Sequence, residues 1–187
     1  MTIAQVIDNF FDDVFINEMH QKIMDIPMAP KNTARPLTWP YGYESDYRLQ
    51  GYTLFNRVNM NRVVLCDVER SQFFFDILEG FEKKFNKSFY LRQIHVNLQH
   101  SGCHGREHAD GDTPNELTMM IMPNSKWKKE WGGEFQILDN DNNVIESHEY
   151  VPGRIVIFPA NVLHKGLGPN EEYPYIYRYT LVYRITP

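Results

Sequence analysis

Two cysteines in 187 residues, Cys66 and Cys103, are too few for a disulfide framework. A small thiol count of this kind fits a reducing compartment and a chain held together by burial. Long apolar runs are missing as well: no stretch approaches the roughly 18 apolar residues that span a bilayer. The opening MTIAQVIDNFFDD has neither the basic segment nor the apolar core of a leader peptide, so a soluble, cytoplasmic protein without membrane contact is the expectation. Positive charge is in deficit, 19 Lys and Arg against 24 Asp and Glu, a formal net charge of −5. Phosphate backbones attract basic surfaces, which argues against a nucleic-acid partner. Repeats, low-complexity tracts and linkers are absent too. With 42% hydrophobic and 14% aromatic residues the chain can bury a full core, and a single domain over 1–187 is expected.

What is present alternates between β and helical patterns. IAQVIDNFF reads as an opening strand, and DDVFINEMHQKIMDI as a helix with Val14, Phe15, Met19, Ile23 and Ile26 near one stripe, stopped by Pro27. From Met28 to about Asn56, Pro30, Pro36, Pro40, Gly42 and Gly51 punctuate an aromatic segment that predicts a long loop or lid. Its Trp39, Tyr41, Tyr43 and Tyr47 either wrap the core or clamp a substrate. A second helix is predicted over about Ser71 to Phe85, with Phe74, Ile77, Leu78, Phe81 and Phe85 at helical spacing. In LRQIHVNLQ, Ile94, Val96 and Leu98 face one way and Gln93, His95, Asn97 and Gln99 the other. That polar face either lines an interior or meets solvent. LTMMIM splits the same way, Thr118, Met120 and Met122 against Leu117, Met119 and Ile121. LDNDNNVIE from Leu138 reads as a solvated turn between strands and lacks the glycine and spacing of a calcium loop.

The residue types that carry chemistry come in a fixed order. His108 and Asp110 form an HxD; on a strand, i and i+2 share a face, so imidazole and carboxylate reach one ion together. His164 follows the apolar strand PGRIVIFP and would close the set. Two histidines and one carboxylate on an octahedral ion leave three open positions, an arrangement suited to ferrous iron. In IYRYTLVYR, alternation puts Arg178, Thr180, Val182 and Arg184 on one face and Tyr179, Leu181 and Tyr183 on the other. A zinc knot from His100, Cys103, His104 and His108 is disfavoured, because structural zinc sites assemble two close pairs from separate turns.

His108, Asp110, Gly132-Gly133-Glu134, the Pro-Gly-Arg strand at 152–154, His164 and Arg178-Tyr179-Thr180 resemble, in type and order, the 2-oxoglutarate/Fe(II)-dependent dioxygenase superfamily, most closely its prolyl 4-hydroxylase-like branch. The resemblance runs over roughly 90–184 and takes in Asn97, Gly102 and Gly105 upstream and the Asn124 to Gly133 segment. It implies a mainly β fold with flanking helices around a double-stranded β-helix, or jelly-roll. It implies Fe(II) on His108, Asp110 and His164, with 2-oxoglutarate and dioxygen as cosubstrates. The far carboxylate of 2-oxoglutarate would pair with Arg178, whose planar fork suits a bidentate partner. Thr180 would add a hydroxyl, if it is not simply a β-branched strand residue, and Asn97 would belong to the same cofactor-binding surface. The implied reaction splits 2-oxoglutarate to succinate and carbon dioxide and hydroxylates a prolyl peptide, another protein side chain or a small amino-acid-like molecule. Some prolyl hydroxylases place a tyrosine where this chain has Met122, a departure that bears on substrate.

Two alternatives stand beside that expectation. Arg184 is six residues beyond Arg178, the spacing of the arginine pair in AlkB-like nucleic-acid demethylases of the same superfamily. A noncatalytic jelly-roll binding protein would keep the scaffold without the chemistry.

Overall fold

The computed structural model describes residues 2–30, 50–59, 62–65 and 68–187. In chain order the elements are β1 (Gln5–Ile7), α1 (Asp13–Met24), β2 (Ala29–Pro30), β3 (Gln50–Asn59), β4 (Arg62–Leu65), α2 (Val68–Phe85), β5 (Tyr90–His100), β6 (Leu117–Ile121), β7 (Phe135–Leu138), β8 (Val144–His148), β9 (Ile155–Pro159), β10 (His164–Gly166) and β11 (Tyr177–Thr186). They build an eight-stranded antiparallel sheet in the order β1-β9-β6-β11-β5-β3-β2, with β4 also on β3, and a three-stranded sheet β10-β7-β8. The predicted fold class, mainly β with flanking helices around a jelly-roll, is what forms.

Alternation along the strands explains how the large sheet serves two cores. On β11, Leu181, Tyr183 and Ile185 pack with Ile94 and Val96 of β5, Met119 and Ile121 of β6, and the helix residues Met19, Ile23, Phe74, Ile77 and Phe81. Tyr183 also donates its hydroxyl to the Phe74 carbonyl of α2 at 2.9 Å. The opposite face sends Val182, Met120, Val156 and Phe158 against Phe135, Ile137 and Tyr150 of the smaller-sheet side. That second face is where the polar residues of β5 point. Gln93, His95 and Gln99 are buried with it, so the polar side of β5 lines the interior rather than meeting solvent.

Several local expectations are corrected. The opening strand spans only Gln5–Ile7, since Asn9 turns into the left-handed region at φ 56. In α1, capped by Asp12 Oδ1 accepting from the Phe15 amide at 2.8 Å, the buried residues are Ile16, Met19 and Ile23. Val14 is 79% exposed. At about 100° per residue it sits roughly 140° round the helix from Met19, whereas Ile16 and Ile23 are within about 60°. Helix α2 begins three residues before Ser71, whose hydroxyl instead ties the helix to the Leu54 carbonyl of β3 at 3.0 Å. The loop expected from Met28 to about Asn56 is strand at both ends, β2 and β3. Gly51 is a β3 residue paired with Asn97. Trp39, Tyr41, Tyr43, Tyr47 and Cys66 lie outside the described residues. LDNDNNVIE is the hairpin turn between β7 and β8, with the Asp139 carboxylate accepting from the Asp141 and Asn143 amides, each at 2.9 Å.

Candidate metal centre

His108 and His164 are 56 positions apart in sequence and directly opposite in space. Each donates its amide to the other's carbonyl, at 3.0 and 2.9 Å, an isolated antiparallel bridge that extends the small sheet past β10. The imidazole centroids lie 4.4 Å apart as a result. Asp110 is not on a strand, contrary to the expectation from HxD spacing. It sits in the bend after the bridge, its amide and that of Gly111 both donating to the Ala160 carbonyl at 2.8 and 2.9 Å. Since Ala160 begins the loop that leads to His164, the same carbonyl that fixes Asp110 also fixes the path to the second histidine.

One ligand atom from each of His108, Asp110 and His164 lies within 4.8 Å of the other two, and this is the one such His/Cys/Asp/Glu group among the described residues. His100, Cys103 and His104 do not join it. Nε2 of either histidine is 3.7 Å from an Asp110 carboxylate oxygen. The other ring nitrogens are engaged: His108 Nδ1 with the Arg106 carbonyl at 2.8 Å, His164 Nδ1 with the Val162 carbonyl at 2.9 Å. A carbonyl can only accept, so each Nδ1 carries the proton and each Nε2 presents its lone pair to the centre of the group, the orientation a metal-binding histidine needs. Burial works against an ionised Asp110, but His164, His108 and the Thr118 hydroxyl outweigh it and hold the carboxyl below its usual range. Thr118 Oγ1 donates to Asp110 Oδ2 at 2.6 Å. The donor set is thus two neutral imidazoles and one carboxylate, which fits a hard-to-borderline divalent ion with room for further ligands.

Thr118 was placed on the correct face of β6 by alternation, but nothing in the sequence marked it as the partner of Asp110. Thr118→Val removes the hydroxyl at nearly constant volume. Divalent-metal affinity is expected to fall about 10- to 100-fold, read by competition with a chelating indicator; an unchanged affinity would separate Thr118 from the centre.

Burial pushes the His164 imidazole down to about 4. The folded, metal-free chain therefore keeps it neutral while the unfolded chain takes up a proton below about 6.5. The corresponding stability is complete above pH 6.5 and drains away as pH falls toward 4, by on the order of 3 kcal/mol. Urea midpoints of chelator-treated protein should drop between pH 7 and pH 4.5, and drop less in His164→Gln. An equal pH dependence in both would remove His164 as the source.

Arg178 reaches into the same interior from β11 and is 2% exposed. Its Nε donates to the Gly133 carbonyl at 2.8 Å and its Nη1 to Gln99 Oε1 at 2.6 Å. Gln99 is held in turn by donating its amide nitrogen to the Cys103 and Gly166 carbonyls at 3.0 and 2.9 Å. Below the guanidinium lies the Tyr150 ring, 5.2 Å away. Burial lowers the Arg178 pKa to about 10, leaving the group charged at neutral pH. Nη2 is buried with no hydrogen-bond partner among the described residues. A buried cation with one donor unused calls for an anion. Gly133 explains the double glycine: at φ +85 a Cβ would lie 2.8 Å from the Trp127 ring and 3.2 Å from Arg178 Cδ.

Thr180 is buried at 3%, and β-sheet register places it beside half-buried Asn97, one row from the Arg178–Gln99 pair. Met122 is core filler whose sulfur accepts from the Val151 amide at 3.3 Å. Arg184 sits near the Asp110 turn with Nη2 on Glu116 Oε2 at 3.1 Å. Gln99 and Tyr150 were missed; the polar face of β5 pointed to Gln99, while no periodicity singled out Tyr150.

The family model described as "2OG-Fe(II) oxygenase superfamily" matches residues 92–183. No curated protein sequence matches the chain. Among solved structures, a Pseudomonas putida prolyl-4-hydroxylase is similar at TM-score 0.61 and 15% identity, covering 99% of this chain and 93% of that one. A Trichoplax adhaerens prolyl hydroxylase, in complex with a hypoxia inducible factor oxygen degradation domain peptide fragment, matches at TM-score 0.68 and 14% identity, covering 98% and 83%. HygX from Streptomyces hygroscopicus, with nickel and 2-oxoglutarate bound, matches at TM-score 0.65 and 9% identity, covering 100% and 83%. At these identities the likeness is one of fold. No helix among the described residues is long and apolar enough to cross a membrane.

Proposed function

From a chain whose residues 92–183 match the 2OG-Fe(II) oxygenase superfamily, we propose a prolyl-hydroxylase-like enzyme that hydroxylates a peptide or amino-acid-like substrate, with His108, Asp110 and His164 as the iron ligands. The convergence of those three side chains within 4.8 Å carries the assignment. When bound, ferrous iron and 2-oxoglutarate supply the oxidising chemistry: dioxygen is consumed, 2-oxoglutarate leaves as succinate and carbon dioxide, and one oxygen atom enters a substrate C–H bond.

The protein's own part is orientation and exclusion of water. The Arg106 and Val162 carbonyls hold both imidazoles in one tautomer, and Thr118 holds the carboxylate. Arg178 anchors the far carboxylate of the cosubstrate through the donor it leaves unused, steadied by Gln99 and Gly133. Thr180 and Asn97 line the path beside it. The burial of Arg178 strengthens that ion pair, since few waters compete. Access is from the His108 side: its ring is 39% exposed, against 7% for His164.

Peptide as the substrate class is supported by the Trichoplax relative, which holds a peptide fragment. A phosphate backbone would meet a formal net charge of −5. The test is succinate formation from 2-oxoglutarate under air with Fe(II), absent after chelation and restored by added iron. A chain that binds iron and 2-oxoglutarate yet forms no succinate with any peptide or amino-acid probe would return the reading to a binding protein.

A further inference from the structure

Arg184 stands on the inner face of β11 with Val182, Thr180 and Arg178, at the opposite end of that row from Arg178. Its register partner on β6 is Thr118, the residue bonded to Asp110. A Cβ built on Gly111, next to Asp110, would lie 3.0 Å from Arg184 Nη2 and 2.5 Å from Glu116 Oε2. The guanidinium therefore borders the metal centre on the side away from the cosubstrate arginine. It is under-used. Of its five N–H donors, Nη2 is on Glu116, while Nε is buried without a partner among the described residues.

Glu116 is itself held from two sides. Besides Arg184 it pairs with Arg92. The β5–β11 register passes from Arg184↔Gln93 to Ile185↔Leu91, so Arg92 is the extra residue of a β-bulge. Bulges re-aim side chains and recur next to active sites. Here the bulge brings a second cation to a carboxylate that already has one, giving two positive charges to one negative at the rim.

We propose that Arg184 is the anchor for a carboxylate on the substrate, and that Glu116 is its resident stand-in. The substrate carboxylate takes the Arg184 fork and completes its donors, while Glu116 stays with Arg92. This rests on the oxygenase assignment above and narrows its substrates to those bearing a carboxylate close to the oxidised carbon, either a free amino-acid carboxyl or an acidic peptide side chain.

Calorimetry on the chain loaded with Mn(II), a redox-quiet substitute for iron, and 2-oxoglutarate tests it. The probes are N-acetylproline against N-acetylprolinamide, and a blocked peptide containing proline-aspartate against its proline-asparagine counterpart. The wild type should bind the carboxylate member of at least one pair roughly 10- to 100-fold tighter than the amide, the span expected of one hydrogen-bonded charge. Which pair shows the preference identifies the source of the carboxylate. Arg184→Gln should collapse that ratio toward one, Arg184→Lys should retain part of it, and Glu116→Gln, by removing the internal competitor, should tighten the carboxylate member several-fold. The ratio is internal to each variant, so a partly folded preparation does not distort it. Equal binding of both members in both pairs, no binding of either, or a ratio preserved in Arg184→Gln overturns the proposal. Weaker carboxylate binding in Glu116→Gln overturns the stand-in. A chain that takes up no 2-oxoglutarate in the same calorimeter fails the oxygenase assignment instead.

Discussion

His108→Ala should abolish iron-dependent succinate formation and lower ferrous affinity by far more than the roughly 10- to 100-fold expected for losing an outer hydrogen-bond partner such as Thr118. The fold should survive. The His108 ring is 39% exposed, and the two hydrogen bonds that join position 108 to position 164 are made by backbone atoms that alanine keeps. Alanine loses the hydrogen bond from His108 Nδ1 to the Arg106 carbonyl, worth about 0.5–1.5 kcal/mol, so the denaturant midpoint of the metal-free variant should fall only slightly below the wild type. Anaerobic Fe(II) titration and succinate assay measure the two losses separately. Iron binding at wild-type affinity in this variant would overturn the assigned ligand set.

Arg178→Ala has a different signature. Iron should still bind, while the dissociation constant for 2-oxoglutarate should rise by on the order of 100-fold or more, as truncating one side of a buried charge pair costs about 2–5 kcal/mol. Stability should fall as well, because Gln99 Oε1 and the Gly133 carbonyl lose their donor inside the protein. Arg178→Lys keeps the charge but not the fork, and should fall between. Titration of the iron-loaded variants with 2-oxoglutarate reads the effect; unchanged cosubstrate affinity in Arg178→Ala would remove it from the role.

The sequence was most legible where spacing alone dictates geometry. Alternation on β5, β6 and β11 correctly divided each strand into its two faces, and it put Arg178, Thr180 and Val182 on the inner one. Helical spacing found Met19, Ile23, Phe74, Ile77, Leu78 and Phe81. Less legible were contacts made by tertiary closure. Asp110 reaches the histidines through a bend fixed by Ala160, 50 residues on, which no local period encodes. Gln99 clamps Arg178 across 79 positions, and Tyr150 lies beneath it from a loop without periodicity. Val14 was misassigned because an apolar residue near a stripe need not face it. Strand β3 was hidden because neighbouring prolines and glycines suggested loop throughout, whereas only position 51 of those breakers falls within the strand.

The mutual backbone bridge between His108 and His164 would couple a metal bound there to the whole roll. An ion seated there fastens two lengths of chain that diffuse apart once the sheets open, and the unfolded polymer retains no comparable chelate. Thermal midpoints should consequently climb with the logarithm of free ferrous concentration above its dissociation constant. Heat resistance of this molecule is then a property of its medium as much as of its residues, and a chelating buffer would make the same polypeptide look intrinsically fragile.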